Sequence, residues 1–331
     1  MADTFRVAVL DDYQHVASKM ADWSSLGAGV EVVYFHDHVH DPDQLVSRLA
    51  PFDAVVAMRE RTPFPATILA RLPSLRLLVT AGMANAAIDV DAAHELGVTV
   101  CGTEAFTGAF ATIELTWGLI LAVVRGIPRE DASVRNGGWQ LGTGPLLMGK
   151  TLGIVGLGNL GPLMVPVARA LGMRTVGWSR NLTADRAELV GVEPLPHDEF
   201  FASSDVITVH LKLGPRSVGY IGAAELALMK PTAYLVNTSR GPVVDEEALM
   251  EALRTRQIAG AALDVFDTEP LPPDHSLRSL PNTVLSPHMG FVSVDSYRDF
   301  HEQFVEDIAR FLAGSPVRVI QTNTWPWEEK P

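Results

Sequence analysis

Three polar residues in the last third of the chain have side chains that could bind a keto acid and move a proton: Arg240, Glu269 and His288. Each follows an apolar run typical of a strand, and ligands bind at the carboxyl ends of strands in open α/β sheets. An arginine can hold a carboxylate through two parallel hydrogen bonds and polarise the adjacent ketone. A histidine can protonate the alkoxide that hydride transfer to a ketone leaves, and a neighbouring carboxylate raises the histidine pKa. Taken singly, Arg240 could form a surface ion pair, His288 could be structural and Glu269 could be a solvated acid. The hypothesis therefore rests on the position that they share, after successive predicted strands.

A second candidate site is a glycine-rich turn that consists of Gly156, Leu157, Gly158, Asn159, Leu160 and Gly161. It follows a strand-like run and precedes a helix-like one. Its glycines would permit a tight turn, close approach of a pyrophosphate, and close packing of helix on strand. Free N–H groups and the helix dipole favour an anion at the helix N-terminus. The segment therefore predicts a dinucleotide site, and the alternative is a glycine-rich turn without a ligand.

The end of the next predicted strand bears on the choice of cofactor. An acidic residue there would hydrogen-bond the ribose 2′-hydroxyl of NAD. The chain has Ser179 and Arg180 instead, and a hydroxyl and a cation suit the 2′-phosphate of NADP. The sequence therefore favours NADP over NAD. The alternative is that Arg180 is a solvated charge beside a NAD ribose.

Two prolines lie in the predicted helix 160–171 that follows the turn. Pro162 falls in the first turn, where proline is tolerated. Pro166 falls inside the helix, where it removes a hydrogen bond and costs about 3 kcal/mol unless the helix kinks. The sequence assigns no function to Pro166.

Length and composition indicate a globular protein of two domains. The chain has 331 residues, with 47% apolar and 20% charged residues, which argues against disorder. The formal net charge of −13 argues against nucleic acid and anionic membranes as partners. A local basic pocket could still bind an anionic substrate. No metal site is predicted.

The cysteine count and the apolar segments predict a cytoplasmic protein. Cys101 is the only cysteine, so no intramolecular disulfide can form, which fits a reducing compartment. No signal peptide is expected, because no apolar run follows a basic segment at the start. The apolar stretch 113–124 contains Glu114 and is interpreted as a buried helix too short to span a bilayer.

Alternating strand-like and helix-like runs predict parallel sheets with helices on both faces. Residues 1 to about 100 form a first α/β unit, and a long helix at 109–124 follows. The glycine- and proline-rich stretch 126–149 is interpreted as an arm or linker. Six further strands, which suit a dinucleotide-binding domain, are predicted at 152–155, 175–178, 206–210, 233–236, 259–263 and 283–285. A last helix, 293–312, would return the chain to the first domain.

The order of these motifs resembles that of the D-isomer-specific 2-hydroxyacid dehydrogenase family. This family includes phosphoglycerate dehydrogenases, glyoxylate/hydroxypyruvate reductases and D-lactate dehydrogenases. Residues from about 50 to 312 carry the resemblance. The segments concerned are TAGMANAAID (80–89), TIE (112–114), GLGNLG (156–161), TVHL (208–211), NTSRG (237–241), LDV (263–265), EP (269–270) and SPH (286–288).

The resemblance implies a role for each matching residue. Arg240 would bind the substrate carboxylate and polarise the carbonyl, and His288 would be the acid–base group with Glu269 as its partner. Arg59 would lie on the substrate loop, and the backbone N–H groups of Gly82 and Met83 would bind the carboxylate. Besides the glycine-rich turn, Ser179 and Arg180, the expected cofactor contacts are Thr112, His210, Leu211, Thr238, Asp264 near the nicotinamide, and Gly290.

The resemblance also implies an architecture of two doubly wound parallel-sheet domains. A smaller, flavodoxin-like substrate domain would comprise 1–102 and 293–331, and a Rossmann cofactor domain would comprise 103–292. The cleft would close about hinges near 101–104 and 288–292. A homodimer would form on the cofactor domain, with the arm at about 126–149 wrapped around the partner.

Some residues depart from the family pattern or discriminate within it. Phe291 is bulky where many members have a small residue, and Lys212 stands where many have proline. Glu269 argues against a formate dehydrogenase, because that branch pairs its histidine with glutamine. The chain ends at Pro331, and we expect no appended regulatory domain.

Two alternatives to the 2-keto acid reductase remain. One is a dinucleotide-sensing scaffold similar to the C-terminal-binding corepressors, which retain the same three catalytic residues. The other is a dehydrogenase that acts on a substrate other than a keto acid, such as phosphite or an imine.

Overall fold

The computed structural model describes residues 4–104 and 107–321. The outermost parts of the predicted substrate domain, 1–3 and 322–331, lie outside the described residues. The chain forms two compact units: unit 1 comprises Met1–Thr107 and Val292–Pro331, and unit 2 comprises Gly108–Phe291.

Unit 1 contains a five-stranded parallel sheet. Its strands are β1 (Phe5–Val9), β2 (Val30–Tyr34), β3 (Ala54–Ala57), β4 (Leu77–Thr80) and β5 (Thr99–Gly102). Their order is β2-β1-β3-β4-β5, which is the flavodoxin order. The helices are α1 (Ala17–Met20), α2 (Pro42–Leu49), α3 (Ala66–Leu69), α4 (Val90–Glu95) and α12 (Val294–Leu312).

Helix α12 shows why the end of the chain belongs to unit 1. It begins after Ser293, whose side chain accepts a hydrogen bond from the Ser296 N–H, as an N-cap residue does. Its buried residues recur at helical spacing, including Tyr297, Phe300 and Phe304. This apolar face packs on α1 and β4.

Unit 2 contains a seven-stranded parallel sheet. Its strands are β6 (Thr151–Val155), β7 (Arg174–Trp178), β8 (Glu193–Pro194), β9 (Val206–Val209), β10 (Tyr234–Asn237), β11 (Gly260–Leu263) and β12 (Thr283–Leu285). The order β8-β7-β6-β9-β10-β11-β12 is the Rossmann order with a seventh strand added. The fold class predicted from the sequence is confirmed. The predicted count of six strands is wrong, since the sheet has seven. The seventh strand, β8, was missed because it has only two residues and both are exposed.

The helices of unit 2 are α5 (Thr107–Arg125, whose first residue belongs to unit 1), α6 (Ile127–Arg135), α7 (Met164–Ala170), α8 (Ala184–Val190), α9 (His197–Ser203), α10 (Ala223–Leu228) and α11 (Glu246–Arg254). The stretch 126–149, interpreted from the sequence as an arm or linker, contains α6 in its first part. This helix has no buried residue, so its sequence lacks the apolar stripe by which a packed helix is recognised.

The expected cost of Pro166 does not arise. The predicted helix 160–171 is divided into a 3₁₀ turn, Gly161–Leu163, and α7, which begins at Met164. Pro166 is therefore the third residue of α7. The first N–H groups of a helix have no partner within it, so a proline at this point removes no regular hydrogen bond.

Helix α5 is the one helix in the described ranges whose length and composition would allow it to cross a membrane. It has 19 residues and is therefore longer than the apolar run 113–124 predicted from the sequence. A core helix passes the same test, and α5 packs its Ile113, Trp117 and Ile120 into the core of unit 2 beside Leu152 and Ile154.

Candidate active site

The three predicted catalytic residues lie in loops that follow three adjacent strands of unit 2. Arg240 follows β10, Glu269 follows β11 and His288 follows β12, and β11 pairs with both neighbours in parallel. Because parallel strands end at the same edge of a sheet, these loops share the edge at which ligands bind in such folds.

Glu269 and His288 form a direct pair at this edge. Nδ1 of His288 lies 2.5 Å from Oε2 of Glu269, and the side chains are 12% and 24% exposed. The other carboxylate oxygen of Glu269 accepts the Phe266 N–H at 2.9 Å, so the carboxylate is held from both sides. A proton on Nδ1 that bonds to Glu269 leaves Nε2 as the exchangeable position. The pair can therefore accept and donate one proton with a fixed ring orientation.

Asp264 holds the backbone that follows His288. Its side chain is fully buried, and its two oxygens accept the N–H groups of Met289 at 2.9 Å and Gly290 at 2.8 Å. Burial raises the pKa of this carboxyl group, against the lowering effect of those two N–H donors and of the nearby His288. His288 itself has a φ of 51°, which is a costly conformation for a residue other than glycine. The carboxylate of Asp264 thus stabilises the segment in which the histidine adopts it.

The loop that carries Arg240 is held in a similar way by a buried side chain at the end of β10. The amide of Asn237 donates to the Arg240 carbonyl at 2.9 Å and accepts the Ser239 N–H at 3.0 Å. The guanidinium of Arg240 donates to the Ser239 carbonyl at 2.7 Å. The Ser239 hydroxyl also donates to the carbonyl of Leu211, which follows β9. Asn237 had no role in the sequence hypothesis, although it belongs to the same motif.

The glycine-rich turn joins β6 to the 3₁₀ turn, and its glycines differ in what the protein requires of them. Gly156 has a φ of 90°, and a Cβ there would come within 2.8 Å of the His210 carbonyl oxygen. At Gly158 a Cβ would meet no atom within 4 Å. Asn159 is exposed and Leu160 is half-buried. The space beside Gly158 therefore fits the predicted approach of a pyrophosphate to the backbone.

His210, after β9, is half-buried, and its Nδ1 atom is buried. Its Nε2 lies 3.0 Å from the Thr208 hydroxyl, but Nδ1 has no hydrogen-bond partner among the described residues. Burial lowers the pKa of His210 to about 4, so the ring is neutral at neutral pH. A buried polar atom without a partner is costly, and a bound dinucleotide fits this position.

The two threonines predicted to line the cofactor both have partners within unit 2. The Thr112 hydroxyl donates to the Gly108 carbonyl, and the Thr238 hydroxyl lies 2.8 Å from that of Thr116 on α5. A Cβ at Gly290 would come within 3.4 Å of the Thr112 methyl group. These contacts bring the start of α5 next to the His288 segment.

Ser179 and Arg180 follow β7, beside the glycine-rich turn. The Gly156 N–H donates to the Trp178 carbonyl at 3.1 Å, and the Leu182 N–H donates to the Ser179 carbonyl at 3.0 Å. A further cation, to which the sequence analysis gave no role, contacts the glycine-rich turn. The guanidinium of Arg186 on α8 donates to the Leu157 carbonyl at 2.9 Å. The sequence gave no signal for this contact, because an arginine in the first turn of a short polar helix is commonly solvated.

The predicted substrate residues Arg59, Gly82 and Met83 lie in unit 1. Arg59 follows β3 with a φ of 53°, and its guanidinium contacts the position of Gly82. The Gly82 N–H donates to the Thr103 hydroxyl at 2.8 Å, so this donor, which was predicted to bind the carboxylate, already has a partner. Met83 is 40% exposed.

Two residues that depart from the family pattern differ in burial. Phe291 is 6% exposed and packs edge-on against the His288 ring at 5.7 Å, whereas Lys212 is exposed. Within the described ranges no group of three or more His, Cys, Asp or Glu residues could hold a metal ion.

A doubly wound nucleotide-binding sheet with an acid–base pair at its carboxyl edge defines a dinucleotide-dependent class of protein. Residues 117–290, more than half of the chain, match the family described as D-isomer specific 2-hydroxyacid dehydrogenase, NAD binding domain. The chain belongs to this family, as the sequence motifs predicted. The family is one of nicotinamide-dependent oxidoreductases, so the dehydrogenase is favoured over the scaffold.

Named relatives are similar over most of this chain. A glyoxylate reductase of Aeropyrum pernix is 38% identical over 256 residues, which are 75% of this chain and 76% of that protein. A D-3-phosphoglycerate dehydrogenase of Archaeoglobus fulgidus is 34% identical over 278 residues, which are 83% of this chain but only 52% of that protein. The chain thus spans about half the length of the latter.

The fold is also similar to a solved structure. A phosphoglycerate oxidoreductase from Vibrio cholerae o395 superposes with a TM-score of 0.89 at 35% identity, and the match covers 94% of this chain and all of that chain.

Proposed function

We propose that this protein interconverts a small 2-keto acid and the D-2-hydroxy acid by hydride transfer with a nicotinamide cofactor. The observation that carries the proposal is the pair of His288 and Glu269, 2.5 Å apart at the carboxyl edge of the nucleotide-binding sheet. The glycine-rich turn follows β6 of the same sheet. The two alternatives have no comparable support in the described contacts.

The residues would divide the work as follows. Arg240 binds the substrate carboxylate and polarises the ketone. His288 gives the proton from Nε2 to the oxygen, and Glu269 stabilises the imidazolium through Nδ1. A bound nicotinamide supplies the hydride. In the oxidative direction, His288 takes the proton from the hydroxyl group.

The names of the relatives guide the substrate test. Glyoxylate, hydroxypyruvate, pyruvate, phenylpyruvate and 2-ketoisocaproate should be assayed with NADH and NADPH, and D-3-phosphoglycerate with the oxidised cofactors. Turnover of at least one 2-keto acid supports the proposal. Tight dinucleotide binding without turnover of any substrate would instead support the corepressor-like scaffold.

We also propose that Arg59 and the Met83 N–H contact the substrate carboxylate. The engaged N–H of Gly82 makes Met83 the better donor of the two. Replacing Arg59 with Gln should raise KM for the keto acid with little effect on dinucleotide affinity, and an unchanged KM would contradict the assignment.

NADP is the proposed preferred cofactor. Ser179 and Arg180 follow β7 directly, where a protein that prefers NAD would have an acidic residue. A cation at this place suits a 2′-phosphate. The ratio of kcat/KM for NADPH to that for NADH tests this preference. A large preference for NADH would overturn it.

A homodimer and a cytoplasmic location complete the proposal. The arm carries several exposed apolar side chains, at Ile127, Val134, Trp139, Leu141, Leu146 and Met148. Apolar surface of this kind favours a protein interface, and Trp139→Glu should shift sedimentation from dimer to monomer. Cys101 is buried and unpaired, which is compatible with a reducing compartment. Cell fractionation tests the location.

A further inference from the structure

The geometry points to Arg186 as a second cation that binds the 2′-phosphate of NADP and so determines cofactor specificity together with Arg180. This inference rests on the proposed NADP preference. It adds a residue from α8 that is separated from Ser179 and Arg180 in the chain.

The position of the Arg186 guanidinium is fixed by the glycine-rich turn. Its Nη2 donates to the carbonyl of Leu157 at 2.9 Å, and Leu157 lies between the two glycines that shape the turn. The Thr183 side chain accepts the Arg186 N–H and caps α8, so the arginine occupies the first helical turn. From there it reaches back to the end of β6.

The same point is next to the end of β7. Strands β6 and β7 are paired so that Val155 lies opposite Trp178, and the Gly156 N–H bonds to the Trp178 carbonyl. The turn that begins at Ser179 therefore starts beside the glycine-rich turn. In a Rossmann domain the adenosine ribose lies between these two strand ends. Arg186 lies on the β6 side of this ribose position, and Arg180 follows β7.

The charges of the two arginines are not neutralised nearby. Within residues 4–104 and 107–321, neither Arg180 nor Arg186 forms an ion pair. Arg186 uses one N–H for Leu157, and a guanidinium has five donors. The remaining donors can bind a phosphate. A phosphate held by two guanidinium groups gains more than one held by a single exposed cation, because charge-assisted hydrogen bonds add.

Direct binding of two adenosine nucleotides tests the inference without catalysis. Isothermal titration calorimetry of the full chain would compare adenosine 2′,5′-bisphosphate, which carries the 2′-phosphate, with 5′-AMP, which lacks it. Arg186→Gln removes the charge but keeps an amide that can donate to Leu157. We expect this variant to bind the bisphosphate about tenfold more weakly, as the loss of one charged hydrogen bond implies. Affinity for 5′-AMP should change less than twofold.

Arg169→Gln is the matched control. Arg169, on α7, likewise donates to a backbone carbonyl, that of Gly191, at 3.1 Å, but it lies away from the glycine-rich turn. It should leave the affinity for both nucleotides unchanged. Thermal unfolding of each variant without ligand would show whether both are folded.

The outcomes separate this inference from the cofactor proposal. If the wild type binds the bisphosphate no more tightly than 5′-AMP, the NADP preference itself fails. If the wild type and Arg186→Gln discriminate equally while Arg180→Gln does not, only the role of Arg186 is overturned. An equal loss for both nucleotides in Arg186→Gln would also overturn it, because Arg186 would then only support the turn.

Discussion

The carboxyl edges of the two sheets differ in how far their polar groups are already hydrogen-bonded within the protein. In unit 1 the loop after β1 carries Asp11, whose carboxylate accepts from Thr62 at 2.7 Å and Tyr13 at 3.2 Å and contacts His38 at 2.9 Å. The Gly82 N–H after β4 is used by Thr103. In unit 2, Nδ1 of His210 at the corresponding edge has no hydrogen-bond partner among the residues that the structure describes, and the space beside Gly158 is open. Two sheets with the same kind of topology therefore differ in their capacity for a ligand.

The largest expected effect in unit 2 follows from removal of the proton donor. His288→Ala should lower kcat by roughly 10²–10⁴, since general acid–base catalysis contributes about this factor. Cofactor affinity, measured by titration of protein fluorescence, should stay within about twofold of the wild type. His40→Ala, in unit 1, is the control. Unchanged turnover would remove His288 from the mechanism.

Replacement of the proposed carboxylate anchor should have the next largest effect. Arg240→Lys keeps the charge but not the two parallel donors, so kcat/KM should fall about a hundredfold. The control is Arg254→Lys on the exposed part of α11, which should have no effect. Steady-state kinetics with the best keto acid would check this prediction, and a retained kcat/KM would mean that another group anchors the carboxylate.

Substitutions at Gly156 and Gly158 should have different effects, the first on protein stability and the second on dinucleotide binding. Gly156→Ala should lower the stability of the ligand-free protein by about 1–2 kcal/mol or more, because its φ of 90° disfavours a side chain and the Cβ would press on the His210 carbonyl. Gly158→Ala should leave the melting temperature nearly unchanged but weaken dinucleotide binding. Thermal unfolding and calorimetry check the two parts, and a Gly158→Ala protein that binds normally would contradict the assignment of this space to the cofactor.

The smallest effect concerns a buried carboxyl group in unit 1. Asp307 lies 2.9 Å from Arg318, but burial outweighs that attraction and raises the pKa of Asp307 to about 7. A folded-state pKa above the unfolded one means that stability is complete below about pH 4 and is lost as the pH rises through 7. The wild type should therefore lose stability relative to Asp307→Asn between pH 5 and 8, by at most about 1.4 kcal/mol per pH unit.

Denaturant unfolding at pH 5, 6, 7 and 8 measures this difference. Glu306→Gln is the control, because Glu306 also contacts Arg318 but is 54% exposed. A difference between wild type and Asp307→Asn that is constant with pH would show that Asp307 does not titrate in this range.

The sequence was most informative where function and local structure depend on the same residues. The glycine-rich turn was recognised because its glycines stand between a strand pattern and a helix pattern. Arg240, Glu269 and His288 were recognised because each follows an apolar strand. Features with weak local signals were missed or misjudged. Strand β8 has only two residues, both exposed, and α6 lacks an apolar stripe. The position of Pro166 was counted from a predicted helix start four residues before that of α7.

By itself, the sequence determined the family, the two α/β units and the residue types at the carboxyl edge of unit 2. Periodic burial and glycine placement are encoded within short stretches of chain, so they can be read locally. Tertiary structure decided which polar groups find partners. Three hydrogen bonds join residues about 20 to 30 positions apart: the Met289 N–H donates to Asp264, the Gly82 N–H to Thr103, and the Arg186 guanidinium to the Leu157 carbonyl. Such pairs depend on strand order and register, which no local pattern specifies.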